Sequence, residues 1–300
     1  MKKVQILLSS YNGEQYIAEQ LDSILSQDYS GISILIRDDG STDRTINIIK
    51  KYAENYEQIS CYKGENLGVI NSFFDLLDRA TLDADYYALS DQDDVWLKDK
   101  ISRAVSKLLK MDNSKPLLYC GKTTPVDEDL RIIPYKIKPT RIKPDFTNAL
   151  VENICTGCTS VFNRELLLMI RQNKPSYTVM HDWWLYLVAS SIGKVYYDYE
   201  SRILYRQHKS NLLGMKTNYI DEFIGRLKRY HKNKGNISRQ ALEFNKKFKV
   251  DNEKQILLDY IINSRHNFIS RLKILKGKRI YRQRKLDNYI FKVLIIFGRV

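Results

Sequence analysis

Three carboxylates, Asp91, Asp93 and Asp94, fall within four positions of the stretch ALSDQDDVW (residues 88–96), directly after an apolar, aromatic run. Like charges at that spacing repel, which costs stability unless water, hydrogen bonds or a cation relieves them. A solvated turn is one answer. A divalent metal site is the other, because hard oxygen donors suit Mg2+ or Mn2+ that keep waters and also take substrate phosphates. Further on, Asp182 opens the aromatic run HDWWLYL (181–187). An acid there can cap a helix, and it can also take a proton from a hydroxyl. Arg206 and His208 follow in YRQHKSN (205–211). By itself a histidine on such a lysine-flanked loop reads as solvated. Cys155 and Cys158 form a C-x-x-C, but Cys61 and Cys120 supply no second ligand pair for a structural zinc, so the two cysteines of the turn CTGC read as packing cysteines. No Ser-His-Asp or Cys-His grouping suggests a covalent nucleophile.

The elements that must position these residues alternate along the first 120 positions. Strands are expected at 4–9, 33–37, 59–63 and 85–90, and helices at 14–27, 45–53 and 69–80, with Ile17, Leu21, Ile24 and Leu25 on one helical face. That βαβαβαβ rhythm predicts a largely parallel sheet with right-handed crossovers. Ligands bind such sheets at the carboxyl ends of the strands. The four strands are followed by SSYNGE, DDGSTD, GENLG and SDQDD, all polar, small or acidic and all on one edge. No G-x-G-x-x-G follows the first strand and no G-x-x-x-x-G-K-[ST] occurs, which argues against a Gly-rich phosphate cradle. A phosphorylated ligand would then need a cation held by the acidic loops.

Charge divides the chain. Residues 225–300 hold 21 Lys/Arg against 5 Asp/Glu, whereas residues 1–224 hold 28 against 30. A boundary near residue 220 follows, with a basic, mainly helical region over 221–300. No secretory leader is visible after MKK, and no apolar run approaches the roughly 20 residues that span a bilayer. A cytoplasmic chain is expected.

SSYNGEQYI, DDGSTD, ENLG, SDQDD, TGCTSVFNREL (156–166), HDWWLYL and YRQHKSN together resemble glycosyltransferase family 2, in its order and approximate spacing, over about residues 3–212. The wording LSDQDDVWLKDKI with RQH is most similar to the bacterial rhamnosyltransferase-like branch. The resemblance implies an α/β, A-type glycosyltransferase fold (Rossmann-like, a mostly parallel mixed sheet flanked by helices) on residues 1–220. It also implies inverting, Mn2+- or Mg2+-dependent transfer from a nucleotide sugar. It places Ser10, Tyr11, Asn12 and Glu14 at the nucleotide pocket and Asp39 on the base or ribose, with Asp38 structural. Asn66 and Gly68 would close the pocket. Asp91-Gln92-Asp93 is the D-x-D, with Asp91 towards ribose and sugar, Asp93 on the metal and Asp94 in support. Asp182 stands where the family has its base, preceded here by His181 rather than Glu. Gly157, His181, Trp183 and Trp184 fall on the acceptor side, and Arg206 and His208 reach the pyrophosphate or metal. The Q-x-x-R-W of processive synthases is absent.

The donor expected is dTDP-L-rhamnose, with UDP-hexose or UDP-N-acetylhexosamine as the same-fold alternative. The acceptor expected is a cell-surface or lipid-linked glycan, approached in part through residues 122–150. A sugar nucleotidyltransferase, which also uses paired acids and Mg2+, is the alternative from another class. The basic tail suits an anionic membrane surface, placing the enzyme on the inner face of the cell membrane; packing into a homo-oligomer and nucleic-acid binding are its rivals. Taken singly, Asp39 reads as a turn residue, Asp182 as a cap and at least one of Trp183 and Trp184 as core.

Overall fold

The structure is a computed structural model that describes residues 1–134, 141–208, 235–277 and 279–300. It separates into two compact units that interleave in sequence: Met1–Ile133, Cys155–Lys174 and Gly193–His208 in the first, Pro134–Ile154, Pro175–Ile192 and Lys209–Val300 in the second. The change in charge near residue 220 therefore divides composition, while the packing units cut the chain elsewhere.

The first unit carries a seven-stranded sheet in the order β3-β2-β1-β4-β8-β6-β9. Its strands are β1 (Val4–Ser10), β2 (Ile32–Asp38), β3 (Ile59–Lys63), β4 (Tyr86–Ser90), β6 (Leu117–Gly121), β8 (Val161–Asn163) and β9 (Lys194–Asp198). All neighbours are parallel except β8, which runs antiparallel to both β4 and β6. The central strands read as nearly continuous apolar runs because helices cover both faces. The expected strands and helices of the first 90 residues all occur, with shifts of a few residues at their ends. The largest shift is at the first helix, α1 (Ile17–Leu25), which starts three residues later than expected and leaves Glu14 in the loop. It buries Ile17, Leu21 and Ile24 beneath the sheet, and α3 (Gly68–Arg79) buries Phe73, Phe74, Leu76 and Leu77. Helix α2 (Thr45–Asn55) packs on β2 and β3, and α6 (Arg164–Gln172) on β4, β6 and β8. In α4 (Lys100–Leu108), Ile101, Ala104, Val105 and Leu108 are buried, and so is Lys100.

Register decides what meets at the sheet's edge. Ser10 pairs with Asp38 and Leu8 with Ser90, so β1, β2 and β4 release their chains side by side. A second, three-stranded sheet has β10 (Ile203–Arg206) between β5 (Val95–Trp96) and β7 (Thr124–Val126). It returns the end of β10 to the acidic loop between β4 and β5.

In the second unit, α5 (Phe146–Ala149) packs with α7 (His181–Ile192), and the described part of the basic region folds as four helices, Asn236–Lys247, Asn252–Asn263, Phe268–Lys276 and Lys285–Ile296. The expectation of a helix over DEFIGRLKRYHK (221–232) lies outside the described residues, as do 135–140 of the expected acceptor loop. Among the described residues no helix is long and apolar enough to cross a membrane.

Candidate functional site

The loop Asp91–Asp94 is held from several sides within the first unit. Gln92 clamps the loop after β1, its Oε1 accepting from the Tyr11 N–H at 2.7 Å and its Nε2 donating to the Tyr11 carbonyl at 2.9 Å. Arg206, 2% exposed, closes the other side. Its backbone N–H donates to Asp94 Oδ1 at 3.2 Å and its Nε to the Asp93 carbonyl at 2.9 Å, while the guanidinium also binds the Glu19 carboxylate and the Glu128 carbonyl. It stacks 4.6 Å from the centre of the Tyr16 ring. The hydrogen bonds that Arg206 makes here thus serve the loop.

Asp93 Oδ2 lies 2.7 Å from Nε2 of His208, whose ring leans on Tyr16. The sequence separates these residues by more than a hundred positions, and the small sheet joins them. Asp94 is 1% exposed, and among the described residues its Oδ2 has no hydrogen-bond partner. Burial, then Asp93 and Asp91, push its carboxyl well above the usual carboxylate range. Oxygens of Asp91 and Asp94 and the sulfur of Cys158 lie within 4.8 Å of one another. Burial first, then the two acids, push the Cys158 thiol well up, and a hard cation prefers the carboxylate oxygens to its sulfur. Crowded carboxylate oxygens, one of them buried and orphaned, with an imidazole beside them, fit a hard divalent cation. Asp93 and His208 would hold it, with Asp91 and Asp94 alongside.

Below this loop lies a group the sequence did not flag. Lys100 sits 3.5 Å over the Trp96 ring with no hydrogen-bond partner for its Nζ among the described residues, and burial pushes its pKa down to about 7. A lysine at the start of an amphipathic helix gives no sequence signal of burial.

At the β1 and β2 ends the two acids differ in their protein partners. Asp39 is held by three donors: it accepts from the Leu67 and Gly68 N–H groups at 2.9 Å each and from the Arg37 guanidinium, which is itself buried and also reaches Asp75. Asp38, expected to be the structural member, gives one oxygen to the Ser41 N–H at 3.0 Å, and its buried Oδ2 has no partner among the described residues. Arg37 is the reason; one residue before the end of β2, it binds Asp39 and draws that carboxylate into the scaffold. Asn12, at φ +49°, binds both the Ser41 hydroxyl and the Thr42 N–H; Glu14 accepts from the Arg44 backbone and side chain. Ser10 is buried against the Arg37 carbonyl, whereas Tyr11, Asn66 and Gly68 are exposed. Gly157 opens a single 3-10 turn, Gly157–Thr159, in the same unit.

In the second unit Asp182 stands in the first turn of α7, its Oδ1 accepting from Asn153 Nδ2 at 3.0 Å and from the Trp183 N–H at 2.7 Å. His181 is buried, which pushes its pKa down to about 3 and keeps it neutral. Both tryptophans are buried. Trp183 donates Nε1–H to the Ala149 carbonyl at 2.7 Å, and Trp184 packs against Phe244 and Phe248. The sequence picked out the group on α7 but not Asn153, the side-chain partner of its acid. The cysteines are unbridged: Cys120, Cys155 and Cys158 are buried and Cys61 partly so.

Comparison with known proteins fits this arrangement. Residues 5–169 match the model of glycosyl transferase family 2. The dTDP-rhamnosyl transferase RfbG of Shigella flexneri is 32% identical over 231 residues, covering 71% of this chain and 75% of its own. The uncharacterised glycosyltransferase RT0329 of Rickettsia typhi is 27% identical over 230 residues, 73% of this chain and 69% of its own. Among solved structures, S. aureus TarS 1–349 in complex with UDP-GlcNAc superposes with a TM-score of 0.60 at 16% identity, covering 98% of this chain and 79% of that one. The mannosyltransferase PcManGT from Pyrobaculum calidifontis, in complex with GDP-Man and Mn2+, gives 0.59 at 16%, covering 99% and 84%. At that identity the likeness shows the fold, and the fold is the A-type glycosyltransferase fold.

Proposed function

The chain belongs to glycosyl transferase family 2, and on that premise we propose that it is an inverting, divalent-metal-dependent transferase whose donor is dTDP-L-rhamnose and whose acceptor is a cell-surface or lipid-linked glycan. The observation that carries metal dependence is the loop Asp91–Asp94: three acids, an orphaned buried oxygen on Asp94, and His208 brought to 2.7 Å from Asp93. Bound there, Mn2+ or Mg2+ supplies positive charge to a leaving nucleoside diphosphate. The donor sugar rests on the similarity to RfbG.

Asp182 is the base. Its carboxylate takes the proton of an acceptor hydroxyl as that oxygen bonds to the anomeric carbon, and the bond from that carbon to the diphosphate oxygen breaks with inversion. The Asn153 amide and the Trp183 N–H orient the carboxylate. His181, neutral and buried, contributes no positive charge beside it. With Trp183 and Trp184 it serves acceptor recognition. On the donor side Asp91 faces ribose and sugar, and Ser10, Tyr11, Asn12, Glu14, Asn66 and Gly68 frame the nucleotide. Asp39, Gln92 and Arg206 serve it by holding that frame still.

A thermal-shift panel of dTDP, UDP, GDP, CDP, ATP and NAD, each with Mn2+ and with EDTA, tests the reading. A ligand that binds only the folded chain raises its apparent stability by mass action. A Mn2+-dependent shift largest with dTDP supports a dTDP sugar; UDP on top replaces the sugar, and no shift with any diphosphate overturns the donor site. Asp182→Asn should leave those shifts unchanged and cut turnover by about 10²–10⁴-fold. Near-normal turnover would assign the proton to another base.

A further inference from the structure

The last quarter of the chain exposes large apolar side chains where a solvated domain would hide them. Phe268 and Ile269 open the helix Phe268–Lys276 at 66% and 65% exposure, and Ile296 and Phe297 end the last helix at 53% and 67%. The two ends are joined. Arg271, one turn into the first of these helices, donates to the Ile296 carbonyl at 3.2 Å and to the Arg265 carbonyl at 2.7 Å. The four apolar side chains therefore flank a single tip, to which exposed Arg265, His266 and Arg299 also belong. The last helix extends the apolar surface, with Leu286 and Tyr289 exposed one turn apart while Ile290, Phe291, Leu294 and Ile295 fill the interior.

Charge selects the occupant. Residues 264–300 contain eleven Lys/Arg and a single acid, Asp287, which is buried. A second copy of this surface would bring like charge against like. A stacked nucleic acid would call for flat, open aromatic platforms, whereas the tip ends in aliphatic and phenylalanine side chains set among cations. Apolar residues that insert while surrounding Lys/Arg meet headgroups are the chemistry of an interfacial anchor.

We propose that the tip formed by Phe268, Ile269, Ile296 and Phe297, with its collar of Arg265, Arg271 and Arg299, docks the enzyme on an anionic lipid surface. This rests on the reading of the acceptor as membrane-borne and gives it residues. The apolar side chains enter the headgroup boundary, Arg265 and Arg299 remain at the level of the phosphates, and Arg271 ties the tip together.

The test is co-sedimentation of the full-length protein with phosphatidylcholine vesicles, with and without phosphatidylglycerol. The wild type should partition onto the phosphatidylglycerol vesicles, lose that binding at high salt, and leave the neutral ones. Phe268→Ser with Phe297→Ser keeps every charge and should weaken partitioning about tenfold or more; Arg265→Gln with Arg299→Gln should weaken it less and flatten the salt dependence. Circular dichroism and the dTDP–Mn2+ thermal shift confirm that each variant is folded with its donor site intact, so loss of docking is read apart from loss of transferase function. Unchanged partitioning of the double serine variant overturns the proposal. So does equal binding to neutral vesicles, binding to duplex DNA without binding to vesicles, or a dimer in solution that the same serine substitutions dissolve.

Discussion

Replacing Lys100 by Met should stabilise the enzyme, and the gain should depend on pH in a calculable way. The lysine Nζ is buried over Trp96 without a hydrogen-bond partner among the described residues, and its pKa falls from 10.5 to about 7. Each tenfold in proton affinity is worth about 1.4 kcal/mol, so burying the charged form costs about 4–5 kcal/mol. Below pH 7 both folded and unfolded chains carry the proton and the whole cost is present. Between pH 7 and 10.5 only the unfolded chain holds it, so stability rises with pH across that window. The residual cost is about 4 kcal/mol at pH 7 and about 1 kcal/mol at pH 10. Met keeps most of the aliphatic volume and discards the charge.

Urea midpoints of wild type and Lys100→Met at pH 7 and pH 10 measure this directly. Other groups titrate over the same range, but they are common to both chains and cancel in the difference. The variant should be the more stable one at pH 7, by up to about 4 kcal/mol, and the two should nearly converge at pH 10. Parallel profiles, or a Met variant weaker than wild type at pH 7, would refute the reasoning. The ammonium would then be charged in the folded state and held by the nearby Asp94.

Three other substitutions probe the same unit. Asp93→Ala should reduce Mn2+-dependent dTDP affinity at least tenfold in titration calorimetry; unaltered metal dependence would remove Asp93 from the cation site. Arg206→Met, which strips the bonds to Glu19, Glu128 and Asp93, should cost about 2–4 kcal/mol in urea unfolding and loosen nucleotide binding with it, whereas wild-type stability would show that the guanidinium holds nothing together. Gly193→Ala would drive a Cβ into the Pro116 carbonyl where β9 begins, far from the acidic loop, and should lower the melting temperature by the equivalent of about 1–3 kcal/mol with donor affinity intact. An unchanged melt would mean that the backbone relaxes there.

How far the sequence carries can be traced residue by residue. Strands β1 to β4 are legible because short apolar runs alternate with helical patterns, and the acidic loops are legible because each follows such a run. The pairing of Asp93 with His208 is not legible in spacing. It depends on the three-stranded sheet, whose strand β5 is only two residues long and whose partners lie in distant parts of the chain. Lys100 is equally hidden, since helical periodicity marks apolar faces and treats every lysine as solvated. The interleaving of the two units is also invisible to composition, because Pro134–Ile154 and Pro175–Ile192 carry no shift in charge comparable to that of the tail.

The division of labour at the sheet edge follows from a general constraint. A loop that binds a charged ligand through backbone and carboxylates has to be rigid before the ligand arrives, or its ordering would be charged against affinity. Here the rigidity comes from side chains that a motif scan would assign to the ligand. Gln92 spends both ends of its amide on Tyr11, Asp39 spends both oxygens on the turn at Leu67 and Gly68, and Arg206 spends its guanidinium on Glu19, Glu128 and Asp93. Among the described acids at this edge, one buried oxygen each on Asp38 and Asp94 has no hydrogen-bond partner. An orphaned buried carboxylate oxygen is costly unless something positive or hydrogen-donating reaches it. On the proposed reading, the same two atoms measure how completely a donor and its cation fill the edge. Asp38→Asn and Asp94→Asn should each stabilise the free enzyme while weakening the stabilisation that dTDP and Mn2+ add.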